Sequence, residues 1–570
     1  MKGSRWTVSI VTILLFSSLA TMVTKGLAKA GNSKQPEISF AQGSRQRLQN
    51  FEELYQIRED LARRRISWSN DLGVRIGVME AQDEIELSAS ASFVLEGGDE
   101  PIPFDAGQVI TFRVKESRPS ERLFWPVVKT VPQEKEGTLA SVVEKWERLG
   151  HEVEVHAAGA RLYYNDFLIH DNRRYFVSVE ASPTETQCIA SFQELIPEGV
   201  RPWPLETLEK EAKGSMELLD SDGSVIAEFS NAVKFSSSSF LKVFDVEYGV
   251  GYPWHGFQDR HFRGTLEVRV DKLGKLQLIN ELDIEDYLQG VVPSEMSAHY
   301  PHQALCSQSI AARGETLAKY GTRHLADPYH LCSSQHCQVY GGKTKEHERT
   351  NAAVQETLGL ILRQGDSISD TVYSACCGGH TEHNHFVWST DPCPALVGKV
   401  DLRPDAEPFP DTEDEEAMKA WFSRKAKAWC NLSADYYQRR FRWKTQLSKA
   451  KVDELVSKKY PKLGSVEAII PLSRGVSGRL RALQLQGSND TVIVQKELPI
   501  RLLFGGLNSG AFVVEESSSA WTFIGAGWGH GVGMCQWGAR GMAEAGKTYR
   551  EILSHYFSNT YILDVYRLKK

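Results

Sequence analysis

The sequence lacks the marks of several common protein classes. Beyond its first thirty residues no run is long and apolar enough to cross a bilayer, which needs ~20 residues of helix. Basic residues are outnumbered, 66 Lys and Arg against 73 Asp and Glu for a net charge of -7, and no basic stripe concentrates them. A phosphate-backbone partner is therefore not expected, because such binding needs a dense cationic surface. No internal repeat is evident. No Gly-Lys-Ser/Thr follows the glycine-rich stretch near Gly525, which argues against a phosphate-binding loop. Cysteines number nine, so they cannot all pair. What is present, 570 residues with 41% hydrophobic and 10% aromatic content, suffices for two or three globular domains.

The N-terminus carries an address. Lys2 and Arg5 precede the mostly apolar Trp6–Met22, and Ala28-Lys29-Ala30 supplies a small-x-small cleavage pattern. This predicts a secretory signal over residues 1–30 and an exported protein of the periplasm or cell wall. The alternative is an uncleaved N-terminal membrane anchor; either places the remainder outside the cytoplasm. A polar spacer or tether is expected over residues 31–70.

Strand and helix periodicities then predict a mixed α+β fold: strand-rich layers carrying a helical catalytic region, with a small α+β domain before them. The boundaries are expected at residues 71–212 and 213–570. Within the first, an apolar run at Phe124–Val131 precedes a helix with Leu139, Val142, Val143 and Trp146 on one face. Alternating segments follow at Glu152–His156 and Tyr175–Glu180, then a helix over Glu185–Leu195. This β-α-β…β-α order resembles the SPOR domain, which binds glycan strands stripped of peptides; a plain α+β spacer fits the same pattern. In the second, strands are predicted near 214–219, 239–245 and 264–270. Asp283 is placed to cap a short helix ended by Gly290, and Pro301 to open a longer helix that stops at Gly321.

The segment Asn280-Glu-Leu-Asp-Ile-Glu-Asp-Tyr-Leu-Gln-Gly-Val-Val-Pro-Ser-Glu-Met296 resembles the signature of the stage II sporulation protein D family (SpoIID/LytB). Three stretches agree in order: Gln308-x-x-Ala-Ala-Arg313, Cys337-Gln-Val-Tyr340-Gly-Gly, and Tyr373-x-x-x-Cys377-Gly-Gly-His-Thr381. A fourth, Gly525-Ala-Gly-Trp-Gly-His530-Gly-Val-Gly-Met-Cys-Gln-Trp-Gly-Ala539, resembles the family's C-terminal glycine-rich motif, whose glycines imply tight turns of positive φ. The likeness extends from about Val225 to Ile562.

The resemblance implies a peptidoglycan lytic transglycosylase acting on glycan without stem peptides, with Glu295 as catalytic residue. Ordinary glycosidases need two carboxylates. A lytic transglycosylase uses the sugar's own 6-hydroxyl as nucleophile, so one group suffices as acid and base. That group must hold its proton near neutral pH, which requires apolar surroundings; Val291, Val292, Pro293 and Met296 flank Glu295. A carboxylate on an exposed N-terminal helical turn is the plain alternative. The family also implies a substrate-binding role for Arg313, which would position the strand, where an exposed helical arginine is the alternative. Tyr340, Tyr373 and His530 are expected to contact saccharide, although His530 equally suits a packed turn.

Some members bind zinc through one histidine and two cysteines, which here would be His324, Cys332 and Cys337, with His330 and His336 as other choices for the imidazole. A Cys332–Cys337 disulfide competes with that reading. The family's common lysine is replaced by Cys306. Because some relatives are amidase enhancers, a non-catalytic glycan-binding protein that stimulates a cell-wall amidase stands as the second functional class.

Overall fold

A computed structural model describes residues 57–568, apart from 60, 70–71, 99, 196–201, 251–254 and 389–390. Residues 1–56, with the predicted secretory signal and most of the predicted spacer, lie outside them.

The fold is mixed α+β and strand-rich. Two sheets form its base. A six-stranded sheet runs in the order Val225–Ser230, Lys213–Leu219, Ile110–Arg118, Glu84–Ala89, Leu241–Tyr248, Gly256–Phe262. A seven-stranded sheet runs Leu331–Cys332, Gly73–Gln82, Leu276–Asp283, Thr265–Val270, Ala232–Ser237, Phe93–Glu96, Ile102–Phe104. Strands from either side of residue 212 therefore pair in the same sheets. Their apolar alternation supplies one core, in which Phe112 meets Phe235 edge-on at 5.3 Å.

Residues 121–210 form an insertion with its own small core. Strands Glu121–Pro132, Val153–Ala158, Arg174–Val179 and Trp203–Lys210 make an antiparallel sheet in the order last, first, third, second. Helices α1 (Leu139–Arg148) and α2 (Glu185–Leu195) connect them, giving the split β-α-β plan of ferredoxin-like domains. The predicted helix face is buried here: Leu139, Val143 and Trp146 pack against Val155, Tyr175 and Val177.

Helices α3 (Ile284–Glu295) and α4 (His302–Lys319) sit above the base. Asp283 caps α3 as predicted, its carboxylate accepting from the Glu285 amide at 2.8 Å. Gly290 does not end α3, which continues through Pro293 to Glu295. Its glycine serves close packing instead: a Cβ there would lie 2.6 Å from the Tyr340 ring. Leu288, Val291 and Val292 of α3 join the first core. Met296 beyond it, with Leu305, Cys306 and Ile310 of α4, joins a second core with Trp421, Val532 and Trp537. Helix α4 is buried along nearly its whole length and bridges the two cores. Glu295 is thus the last residue of a helix, at the seam between cores. A third core gathers around Trp443, Leu483 and Phe523.

Candidate active site

The seam opens into a cleft of ≈ 2600 Å³. Pockets for small ligands are commonly ~300–1,000 Å³, so this one has the room of a polymer groove. The 121–210 insertion lines it through Phe124, Lys129 and Trp203, and Glu295, Tyr373, Trp388, Trp528 and His530 line it as well.

Glu295 is partly buried at the end of α3. Its carboxyl is pushed up from 4.5 to about 7, chiefly by burial; the Val339 amide that donates to Oε1 at 2.8 Å opposes the rise, and the charge of Glu315 adds to it. The helix C-terminus, with its partial negative charge, acts in the same direction. Glu315 is itself buried in α4 and paired with Lys319. Gln536 holds the backbone beneath, its Nε2 donating to the Glu295 carbonyl at 3.1 Å and to Gln308 Oε1 at 3.3 Å.

Tyr373 stands in the cleft and donates from its hydroxyl to Gln338 Oε1 at 2.9 Å. Gln338 in turn donates to Thr316 Oγ1 at 2.8 Å, so α4 positions Tyr373 through one intermediary. His530 also lines the cleft, but both ring nitrogens are taken: Nε2 donates to the Tyr373 carbonyl at 3.0 Å and Nδ1 accepts from the Val532 amide at 3.1 Å. It offers a ring face rather than a polar tip, and that face lies 5.0 Å from Trp388 between centroids. The glycines around it, Gly527, Gly529, Gly531 and Gly533, all have positive φ, as the motif predicts.

Two expected saccharide contacts are elsewhere. Arg313 is 0% exposed and grips Glu285: Nε donates to Oε1 at 2.8 Å and Nη2 to Oε2, while Nη1 donates to the Leu360 carbonyl at 2.9 Å. Its guanidinium is bonded inside the protein, where it ties α4 to the start of α3. Tyr340, 1% exposed, packs 5.0 Å from Tyr287 and donates to Asn280 Oδ1 at 2.7 Å. Cys306 is likewise buried in the second core and does not line the cleft.

His324, Cys332, His336 and Cys337 present donor atoms all within 4.8 Å of one another. Cys337 Sγ lies 3.3 Å from His324 Nε2, and Cys332 Sγ 3.7 Å from His336 Nδ1. Neither cysteine is in a disulfide. His324 Nδ1 contacts Asp327 Oδ2 at 3.1 Å, the carboxylate support that commonly orients a metal-binding imidazole. The set thus has His336 as a fourth donor beyond the three expected. His330 is not in it; its Nδ1 accepts from the Arg75 amide at 3.1 Å. Two soft thiols and two imidazoles suit tetrahedral zinc.

The profile of the stage II sporulation protein family matches residues 272–363, the stretch holding α3, α4 and these four donors. An uncharacterized protein of Brachyspira hyodysenteriae is 30% identical over 300 residues, covering 51% of this chain and 70% of that protein. The chain belongs to the stage II sporulation protein D family. Stage II sporulation protein D of Bacillus subtilis is 24% identical over 50% of this chain and 76% of its own length. The amidase enhancer of Bacillus subtilis is 28% identical over 48% of this chain but only 40% of its own length. Residues 382–533 match a domain of unknown function, DUF8618. That region supplies Trp388, Arg440, Trp528 and His530 to the cleft.

Sequence reasoning missed Glu285, Gln338, Gln536 and the Val339 amide. All four stood inside quoted motifs; what was missing was the pairing, which depends on distant segments meeting.

Proposed function

We propose that this protein is an exported peptidoglycan lytic transglycosylase that cuts glycan strands lacking stem peptides. The observation that carries the proposal is a carboxyl at Glu295 that keeps its proton up to about pH 7 inside a polymer-sized cleft. In the first half-step the Glu295 carboxyl gives its proton to the glycosidic oxygen as the bond from the muramyl C1 to that oxygen breaks. In the second, the resulting carboxylate takes the proton of the muramyl 6-hydroxyl while O6 bonds to C1. The products are a 1,6-anhydro end and a free hydroxyl, no water is consumed, and Glu295 returns to its protonated form. Glu315, held in an ion pair by Lys319, is not needed as a second acid or nucleophile.

Zinc fits His324, Cys332, His336 and Cys337, where it would supply a structural crosslink. Those residues lead directly into Val339, so they fix the amide that orients Glu295. Aromatic faces at Trp388, Trp528 and Tyr436 suit sugar rings. The SPOR-like reading of the domain expected over residues 71–212 is compatible with Phe124, Lys129 and Trp203 lining the cleft.

A second reading, a glycan-binding enhancer of a cell-wall amidase that cuts nothing itself, is favoured by the amidase enhancer relative. Incubation with peptide-free glycan separates the two. Lytic cleavage yields 1,6-anhydromuramyl ends by mass spectrometry, abolished in Glu295→Gln with binding retained. Wild-type protein that binds glycan but yields no such ends would establish the second reading.

A further inference from the structure

The DUF8618-matching region and its flanks bring together a second set of metal-type donors, remote in sequence from the first. Cys377, Asp401, Cys430 and Cys535 each direct one donor atom into a common point, all within 4.8 Å of one another, and all four residues are buried. We infer that they form a second metal centre, a structural site for Zn²⁺ or a similar thiophilic divalent cation, bound by three thiolates and one carboxylate.

Spacing favours metal over disulfide. Two sulfurs bound tetrahedrally at about 2.3 Å from zinc lie roughly 3.8 Å apart. Cys377 Sγ and Cys430 Sγ are 3.6 Å apart, and none of these cysteines is in a disulfide. The carboxylate is in place too: Cys377 Sγ donates to Asp401 Oδ2 at 3.0 Å.

The surroundings are built for negative sulfur. Backbone amides of Cys377 and Gly538 point at Cys535 Sγ at 3.2 and 3.3 Å, and the Gly379 amide points at Cys377 Sγ at 3.4 Å. Cys535 also caps the helix Gln536–Glu544, whose N-terminal dipole favours a thiolate. Arg442 lies close enough for its charge to act on Cys430 and Cys377, and its buried Nη2 has no hydrogen-bond partner.

Asp401 supports the same conclusion. Its other oxygen, Oδ1, is held by the Tyr556 hydroxyl at 2.8 Å and by His555 Nε2 at 3.0 Å. Such carboxylate orientation from outside the ligand set is usual at metal sites. Among the described residues no lysine or arginine is ion-paired with this fully buried acid. A buried carboxylate whose ion-pair partner is a histidine, His555, is costly, and a divalent cation removes the cost. On binding, the three thiol protons leave to solvent, and no oxidation or reduction is involved.

The position gives the site a purpose. Cys535 immediately precedes Gln536, which holds the Glu295 carbonyl and lines the cleft. Cys377 closes the segment that carries Tyr373, and Cys430 precedes the loop leading to Tyr436 and Tyr437. One ion would staple four separate segments that surround the cleft.

The test is metal analysis of the full-length protein purified without chelator. Cys332→Ser/Cys337→Ser, which removes the first set, is expected to retain one equivalent of zinc. Cys430→Ser is expected to lose one equivalent relative to wild type. Replacement by Co²⁺ in the first variant should give the thiolate charge-transfer absorption of tetrahedral cobalt. Should either variant fail to fold, alkylation of the native wild type decides: Cys377, Cys430 and Cys535 become labelled only after strong chelation. A zinc-free first variant, disulfides among these cysteines, or labelling unchanged by the chelator would overturn the inference.

Discussion

Arg313 and Glu285, twenty-eight residues apart, form a buried two-pronged ion pair that fastens α4 to the first turn of α3. Because Glu295 ends that same α3, the pair sets the position of the carboxyl from the far end of the helix. Removing one partner of a buried pair strands the other charge. Arg313→Ala is therefore expected to destabilise the protein by about 3–5 kcal/mol, read by denaturant unfolding. Glycan affinity of the fraction that remains folded should be unchanged. A selective loss of affinity at full stability would return Arg313 to the substrate.

Glu295 sets the pH dependence. As the acid it must be protonated before cleavage, so the cutting rate should fall about tenfold for each pH unit above about 7. Its folded value lies above the ordinary 4.5, so the native state holds a proton the unfolded chain has lost. Stability from this group is thus full below 4.5 and declines as pH rises from 4.5 through about 7. Glu295→Gln cannot ionise, and at pH 8 it should be more stable than wild type by up to about 3 kcal/mol, with the gain vanishing at pH 4. Parallel urea titrations at the two pH values measure this.

Gly290 has no room for a side chain. A Cβ would lie 2.6 Å from the Tyr340 ring and 3.0 Å from the Gly342 carbonyl oxygen. Gly290→Ala should cost about 1–3 kcal/mol through overpacking, despite alanine's better helix propensity. A melting temperature at or above that of wild type would contradict the packing described.

Trp388 is half-buried at the cleft beside His530. Trp388→Ala should weaken binding of peptide-free glycan by roughly 2–13-fold, the worth of one aromatic contact of about 0.5–1.5 kcal/mol. Sedimentation of insoluble glycan with bound protein reports the affinity.

Much of this molecule is written locally. Asp283 caps its helix because an oxygen at that position meets a free amide of the first turn, and the strand expected near 264–270 forms over Thr265–Val270. The positive φ of the Gly527–Gly533 turns follows from glycine alone. The acidic role expected of Glu295 came from the family resemblance; the upward shift of its carboxyl comes chiefly from burial.

Other features were decided only when distant segments met. Arg313 and Tyr340 looked like ligand contacts by motif, but Glu285 and Asn280 claim their polar atoms inside the core. Gly290 reads as a stop signal until Tyr340 is placed against it. His336 joins His324, and Cys377 joins Cys535 across more than 150 residues, because folding brings donors together whatever their separation in the chain. Sequence determines which groups can bond and which local turns they favour; which partners they obtain depends on long-range packing, where burial makes every unsatisfied charge and hydrogen bond expensive.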